Sequence, residues 1–267
     1  MKKINIFCFG FGQVAKNFVY NLNKTYDVNL AITSRDKTQK KKIYGINYIS
    51  YHFLDDSFDR EILKKIKNYD YILVSIPPKN GIDIVIKNFQ ETLEILKSNW
   101  ITYLSATSVY GDHNGEWVDE NSKVNPLTEN GKSRLNAEKI WINLAKKKNL
   151  PIQIFRLSGI YSQERNILEK IKSGSHQIIN KPNHFFSRIH VEDISNVLKI
   201  TLDSKYIKPG EIYNLSDDYP CSNIEIANYA YKMMKISKPK MIEISEIKSE
   251  MLRNFYRDSK KVSNKKI

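Results

Sequence analysis

Residues 4–22 read INIFCFGFGQVAKNFVYNL. A short apolar run, INIFCF, stops at a glycine, and QVAKNFVYNL continues with apolar residues three and four apart. The first part suits a buried strand and the second an amphipathic helix. The turn between them is Gly10-Phe11-Gly12-Gln13-Val14-Ala15, a G-x-G-x-x-A pattern. Gly10 permits a tight turn. Gly12, with no Cβ, lets the backbone approach a pyrophosphate, and Ala15 lets helix and strand pack closely. Phosphate oxygens then rest on the N–H groups that open the helix. The stretch predicts a dinucleotide held by Gly10, Phe11, Gly12, Gln13 and Val14. The alternative is a tight strand-to-helix turn with no ligand.

Outward from this unit the pattern repeats. VNLAIT (28–33), INYISYHF (46–53), YDYILVSIPP (69–78), WITYLSATSVYG (100–111) and PIQIFRLSGIY (151–161) read as strands. REILKKIKN (60–68), IDIVIKNFQETLEILKS (82–98) and PLTENGKSRLNAEKIWINLAKKK (126–148) read as helices, the last with Thr128 as its N-cap. Strand and helix alternate six times, and most strands are continuously apolar, as in a sheet covered on both faces. This predicts an α/β fold with a doubly wound parallel sheet. After about residue 160 the alternation loosens into NILEKIKSG, RIHVEDI, EIYNLSDD and CSNIEIANYAYKMMKI. The expected organisation is therefore a dinucleotide-binding domain over 1–160. Residues 161–267 would form a small α+β substrate lobe interleaved with it.

The second strand should end near the adenosine ribose. It ends Thr33-Ser34-Arg35. Arg35 can pair bidentately with a 2′-phosphate and Ser34 can add a hydroxyl, which favours NADP over NAD. Asp36 works against this, because a shift of one residue would bring a carboxylate to the ribose.

Composition excludes several classes. The 267 residues are 41% hydrophobic and 27% charged, which fits a globular protein. No apolar run approaches the ~18 residues of a membrane span. The N-terminal apolar run is too short for a signal peptide and leads into a glycine turn. The two cysteines, Cys8 and Cys221, make no metal signature and fit a reducing cytoplasm. The net charge of +14 raises nucleic acid as a partner. The lysines, however, are spread over helix faces such as ILKKIKN and LAKKKN, which argues against it. Only the tail RDSKKVSNKKI concentrates basic residues.

The glycine motif, SIPP, LSATSVYGDHNGEW, FRLSGIY, RIHVEDI and EIYNLSDD occur in this order. Together they resemble the extended and atypical short-chain dehydrogenase/reductases, the NAD-dependent epimerase/dehydratase group. The resemblance covers nearly the whole chain. It implies a Rossmann domain binding NAD(P), a small lobe closing over a small polar or nucleotide-sugar-like substrate, and reversible hydride transfer. It extends the cofactor contacts to Ser75, Ile76 and Pro77 of SIPP, to Ser105 and to Arg134. It also implies that such relatives continue past SNKKI into a segment rich in aromatic residues and proline. Partners are then a small-molecule substrate and, as an open alternative, a second copy in a homodimer.

In that family a Tyr-x-x-x-Lys at the start of the helix after the fifth strand moves the proton, within P-x-x-x-Y-G-x-S-K-x-x-x-E. Here Pro126, Gly131, Ser133 and Glu138 match, but the Tyr position is Asn130 and the Lys position is Arg134. The usual Ser/Thr position holds Ala106, flanked by Ser105 and Thr107. Asn130 has no titratable group, and Arg134 keeps its charge without donating a proton near neutral pH. Three other Tyr-x-x-x-Lys pairs exist, Tyr20/Lys24, Tyr231/Lys235 and Tyr256/Lys260. About two are expected by chance at this lysine content.

The catalytic candidates are therefore Thr107, Asn130, Arg134 and His113, the last being the best-placed titratable group in the loop after the fifth strand. His190 and Asp193 of RIHVEDI form a weaker acid/base pair, structural in the family. Tyr110, Tyr161 and Arg156 are read as packing or ion-pair residues with a lesser claim on substrate. The five histidines show no metal-ligand spacing. The alternative to an enzyme is a non-catalytic NAD(P)-binding sensor or scaffold.

Overall fold

The computed structural model describes residues 1–203 and 207–267. Its centre is an eight-stranded sheet. The strands are β1 (Lys2–Phe9), β2 (Tyr26–Ser34), β3 (Gln39–Ile43), β4 (Ile46–His52), β5 (Tyr71–Val74), β6 (Trp100–Ala106), β8 (Ile152–Leu157) and β12 (Glu211–Leu215). They lie in the order β12-β8-β6-β5-β1-β2-β4-β3, parallel except for β3. The shorter strands are β7 (Trp117–Val118), β9 (Gly159–Tyr161), β10 (Phe185–Phe186), β11 (Arg188–His190), β13 (Cys221–Ser222) and β14 (Lys261–Val262). The helices are α1 (Gln13–Asn23), α2 (Glu61–Lys65), α3 (Ile84–Glu94), α4 (Glu129–Lys148), α5 (Ile167–Lys172), α6 (Val191–Ile200), α7 (Asn223–Met234) and α8 (Glu250–Phe255).

Alternation along β1 explains the layering. Ile4, Ile6 and Cys8 face one core with Phe18 and Leu22 of α1 and Ile194 and Leu198 of α6. Phe7 and Phe9 face the other core with Val85 and Phe89 of α3 and Trp141 of α4. Successive strand residues point to opposite faces, so a strand buried on both sides must be apolar throughout, as the sequence pattern predicts. Asp83 ties two helices of the second layer together. It accepts from the backbone N–H of Val85 and Ile86 at the start of α3 and from Trp141 Nε1 of α4 at 3.0 Å. Burial pushes its carboxyl above the ordinary carboxylate value, against those hydrogen bonds. Among the described residues no helix is long and apolar enough to cross a membrane.

Two elements differ from the sequence reading. EIYNL, read as part of the small lobe, is β12, the edge strand of the large sheet, parallel to β8. The chain past residue 160 thus supplies one strand and α6 to the main layers, and Ile171, Ile178, Ala227 and Tyr231, and Ile179, Phe186, Ile247 and Tyr256, form two further apolar clusters. QKKKI was not read as a strand at all. It pairs antiparallel with β4 through the two-residue turn Tyr44-Gly45, both at positive φ. Its lysines cover an open sheet edge, a usual protection against edge pairing, and they hide the strand from an apolar pattern.

Chain order along the sheet reverses between β1 and β5. After β1 the chain proceeds to β2 and β4 on one side, then returns to place β5 and β6 on the other. That switch point opens a crevice at the C-terminal ends of the strands, where such folds hold ligands. The residues 10–15, 75–77, 107–113 and 130–134 all follow or face that edge.

Candidate functional site

Gly10 stands at φ +82°, and a Cβ there would lie 2.9 Å from both Ile76 Cγ1 and Ser75 Oγ. The glycine is thus fixed by the turn and by the SIPP segment pressing on it. Its N–H donates to Thr33 Oγ1 at 3.0 Å, which ties the loop to the end of β2. Gly12 is the reverse case. A Cβ built there meets nothing within 4 Å, and its φ of −81° suits any residue. The protein itself does not require glycine at position 12, so the open space is the feature that fits a pyrophosphate. Gly12 also begins α1 with no side-chain cap, whereas α3, α4, α5, α7 and α8 are capped by Asp83, Thr128, Asn166, Ser222 and Ser249. The first N–H groups of α1 are left for an anion. Phe11, Gln13 and Val14 sit in this loop and first turn. Ser75 follows β5, its hydroxyl donating to Phe9 O at 3.1 Å, with Ile76 half-buried and Pro77 exposed beside it.

At the end of β2, Ser34 Oγ is shared with Ser50 Oγ at 2.9 Å. Arg35 is exposed and has no ionic partner among the described residues, while Asp36 is paired with Lys41 at 3.1 Å.

The α4 side is organised around Glu138, the last residue of the helix-start pattern. Glu138 is 1% exposed. Arg156 of β8 donates to it through Nη2 at 2.8 Å and Nε at 3.1 Å. Ser105 Oγ donates to Glu138 Oε1 at 2.5 Å. The Ser105 side chain, expected at the cofactor, is 2% exposed and engaged by Glu138. Arg156 is likewise held in an ion pair, and its guanidinium lies 4.8 Å from the centre of the buried Tyr110 ring. Tyr110 in turn donates to Asn214 Oδ1 at 2.7 Å.

The catalytic candidates separate. Asn130 is exposed on the first turn of α4, whose N-cap is Thr128, accepting from Gly131 N at 3.1 Å. Arg134 is half-buried and donates to Leu104 O at 3.1 Å. His113 has Nε2 3.1 Å from Lys123 O and its ring edge-on to Tyr110, and it is not among the residues lining the cavity beside Thr107. His190 precedes α6, with Nδ1 4.0 Å from Glu192 and its ring 5.0 Å from that of Tyr161. Burial, then Asp217, pushes Tyr161 up to about 12, which makes it a weaker acid than an ordinary tyrosine.

Thr107 does reach a cavity of ≈ 110 Å³, bordered by Ser108, Phe185, Phe255, Asp258 and Lys260. The sequence reading missed the last three. Tyr256/Lys260 was one of the three chance-level Tyr-x-x-x-Lys pairs, and its tyrosine does not line the cavity. The usable signal lay in the basic tail, which is not a free patch. Lys261 sits 4.3 Å over the Phe185 ring, Lys266 pairs with Glu211, and β14 pairs parallel with β7. Among the described residues no group of three or more His, Cys, Asp or Glu could hold a metal ion.

The fold is shared over nearly the whole chain with several solved proteins. A functionally unknown conserved protein of Silicibacter pomeroyi DSS superposes with a TM-score of 0.78 at 28% identity, over 98% of this chain and 90% of that one. UDP-glucuronic acid 4-epimerase of Bacillus cereus, solved with NAD, gives 0.78 at 15% identity, over 98% and 90%. dTDP-glucose 4,6-dehydratase of Bacillus anthracis str. Ames, also with NAD, gives 0.76 at 15%, over 98% and 88%. No protein-family model and no curated protein sequence matches the chain. The fold is therefore the one used by NAD-dependent epimerases and dehydratases, a mostly parallel Rossmann-type sheet with helices around it.

Proposed function

We propose that this protein binds NAD(P) across the β1–α1 turn and carries out reversible hydride transfer on a small polar, nucleotide-sugar-like substrate held between the sheet edge and the C-terminal lobe. The observation that carries the reading is Gly12. It borders open space at an uncapped helix start, next to a glycine that the turn does require. Residues 10–14 would hold the pyrophosphate, and Ser75, Ile76 and Pro77 would border the dinucleotide on the β5 side. The nicotinamide supplies the hydride when bound; the chain supplies position, exclusion of water and hydrogen bonds to the substrate oxygen. Thr107 is the residue of the expected set that fronts the cavity. Arg134 is spent in part on Leu104 O, and its other N–H groups remain for ribose hydroxyls. Arg35, with Asp36 occupied by Lys41, favours NADP. The two buried free cysteines fit a reducing cytoplasm.

A second reading, a dinucleotide-binding sensor without catalysis, draws on the exposed Asn130 and the immobile Arg134. NADPH fluorescence titration separates these. The wild-type chain is expected to bind NADPH, and Gly12→Val to lose about a hundredfold or more in affinity while its melting temperature stays unchanged, because the new side chain fills only ligand space. Unchanged affinity in that variant would place the dinucleotide elsewhere. Tight binding with no NADPH oxidation across a broad carbonyl panel would favour the sensor.

A further inference from the structure

Neither Asn130 nor Arg134 at the start of α4 gives up a proton near neutral pH, yet the cavity beside Thr107 holds a titratable donor. Lys260 is 8% exposed and borders that cavity. An ammonium carries three N–H donors. One is paired with the Asp258 carboxylate, and another donates to Gly111 O at 3.1 Å. Among the described residues Nζ has no further acceptor, so one N–H remains for whatever enters the cavity. The pair differs from the surface pairs Lys64–Glu61 and Lys132–Glu129, where both side chains are at least half exposed. Burying a lysine costs desolvation that a simple tether does not need.

The lysine is also held still. Ser259 N donates to Asp112 Oδ1 at 2.8 Å, His113 N and Gly115 N both donate to Ser259 O, and Val262 N donates to Ser187 Oγ at 2.9 Å. Gly111 closes the turn that begins at Thr107, its N–H donating to Ser108 O, and Tyr110 N donates to Thr107 O at 3.2 Å. Lys260 and Thr107 are thus fixed to the same short turn, one by its ammonium and the other by its backbone. A preorganised donor in a partly desolvated pocket is worth more than the same donor in water.

We propose that Lys260 is the substrate-touching donor of this site, binding the substrate's carbonyl oxygen beside the Thr107 hydroxyl. This rests on the dinucleotide reading above. A reduced nicotinamide, when bound, would supply a hydride and its electron pair to the carbonyl carbon. Lys260 Nζ would give its proton to the oxygen onto which the C=O π electrons move, and the amine would regain one from water. The proton path missing from α4 is supplied from the far end of the chain.

The test uses the full chain, with dihydroxyacetone and pyruvate as carbonyl probes in saturation-transfer NMR and NADPH fluorescence in parallel. Wild type is expected to bind at least one probe. Lys260→Met should weaken that binding roughly tenfold or more, the loss of one charge-assisted hydrogen bond. Lys260→Arg should retain part of it, Lys132→Gln on the surface should match wild type, and NADPH affinity should be equal in all. Lys260→Gln, which keeps a donor for Gly111 O, carries the test if the methionine variant does not fold. Probe binding that is absent in wild type, or indifferent to Lys260, overturns the proposal while NADPH binding stands. Failure of wild type to bind NADPH overturns the dinucleotide reading as well.

Discussion

Two places on the same sheet edge are built on different principles. The β1–α1 turn is made of backbone: two glycines and a helix start. The α4 side, two strands and roughly 10 Å away, is made of side chains. The first keeps its whole pattern, Gly10 to Ala15. In the second, Ser133 and Glu138 are buried, while Asn130 is exposed and Arg134 half-buried. A backbone site depends on φ/ψ and on missing Cβ atoms, so it cannot be relocated piecemeal. A side-chain donor can come from any segment that reaches the cavity, and here Lys260 reaches it.

If the α4 side is an inward-facing frame, the largest effect in the molecule should come from breaking it. Glu138→Gln leaves the Arg156 guanidinium buried beside a neutral amide. Stability in urea is expected to fall by about 3–5 kcal/mol, as when one partner of a buried pair is removed. Dinucleotide affinity of the folded fraction should not change, since the glycine turn lies on another strand. A loss below about 1 kcal/mol would show that the pair does not hold the frame. A parallel loss of NADPH affinity would show that the two places are one unit.

The C-terminal segment gives a smaller and pH-dependent effect. His184 is 1% exposed, and its ring stacks 5.1 Å from that of Tyr256, just before Asp258 and Lys260. Burial, with Lys181 adding to it, lowers its pKa from 6.5 to about 4. The unfolded chain therefore binds the proton first on acidification. This stability term is complete above about pH 6.5 and is lost as pH falls toward 4, by up to about 3 kcal/mol. His184→Phe, which keeps a ring on Tyr256, should flatten the fall between those pH values. An unchanged acid limb in that variant would assign the effect to the carboxylates instead.

The same division decides what could be read in advance. INIFCFGFGQVAKN announces its strand, turn and helix because each follows from local chemistry: apolar period, glycine at positive φ, small residue at the packing point. Thr128 as a cap is local in the same way. β12 was assigned to the wrong layer because pairing with β8 is a matter of topology, and five half-polar residues carry no mark of their neighbour. Ser105 looked like a cofactor residue because its place in the motif is fixed, whereas its partner, Glu138, lies 33 residues on. Lys260 was discounted because its Tyr-x-x-x-Lys pair is expected by chance and does not follow the fifth strand. Its value depends on β14 lying beside β7, a contact across 144 positions that no spacing rule encodes.

The smallest effect concerns which dinucleotide the backbone site prefers, and it tests whether side chains refine what the backbone fixes. Arg35 follows the last residue of β2 with no ionic partner among the described residues, while the neighbouring carboxylate of Asp36 is engaged by Lys41. A 2′-phosphate would meet the guanidinium, and an unmodified ribose would find its competing carboxylate already paired. Arg35→Ala is therefore expected to weaken NADPH binding by roughly tenfold, about 1.4 kcal/mol, and to leave NADH binding unchanged. Because the arginine is exposed, the difference should shrink as salt rises from 0.05 to about 0.5 M. Lys41→Ala should act in the opposite place, freeing Asp36 to bind ribose hydroxyls and moving the ratio toward NADH. If wild type binds NADH more tightly and Arg35→Ala changes neither affinity, the end of β2 takes no part in the choice, and the preference lies in the glycine turn itself.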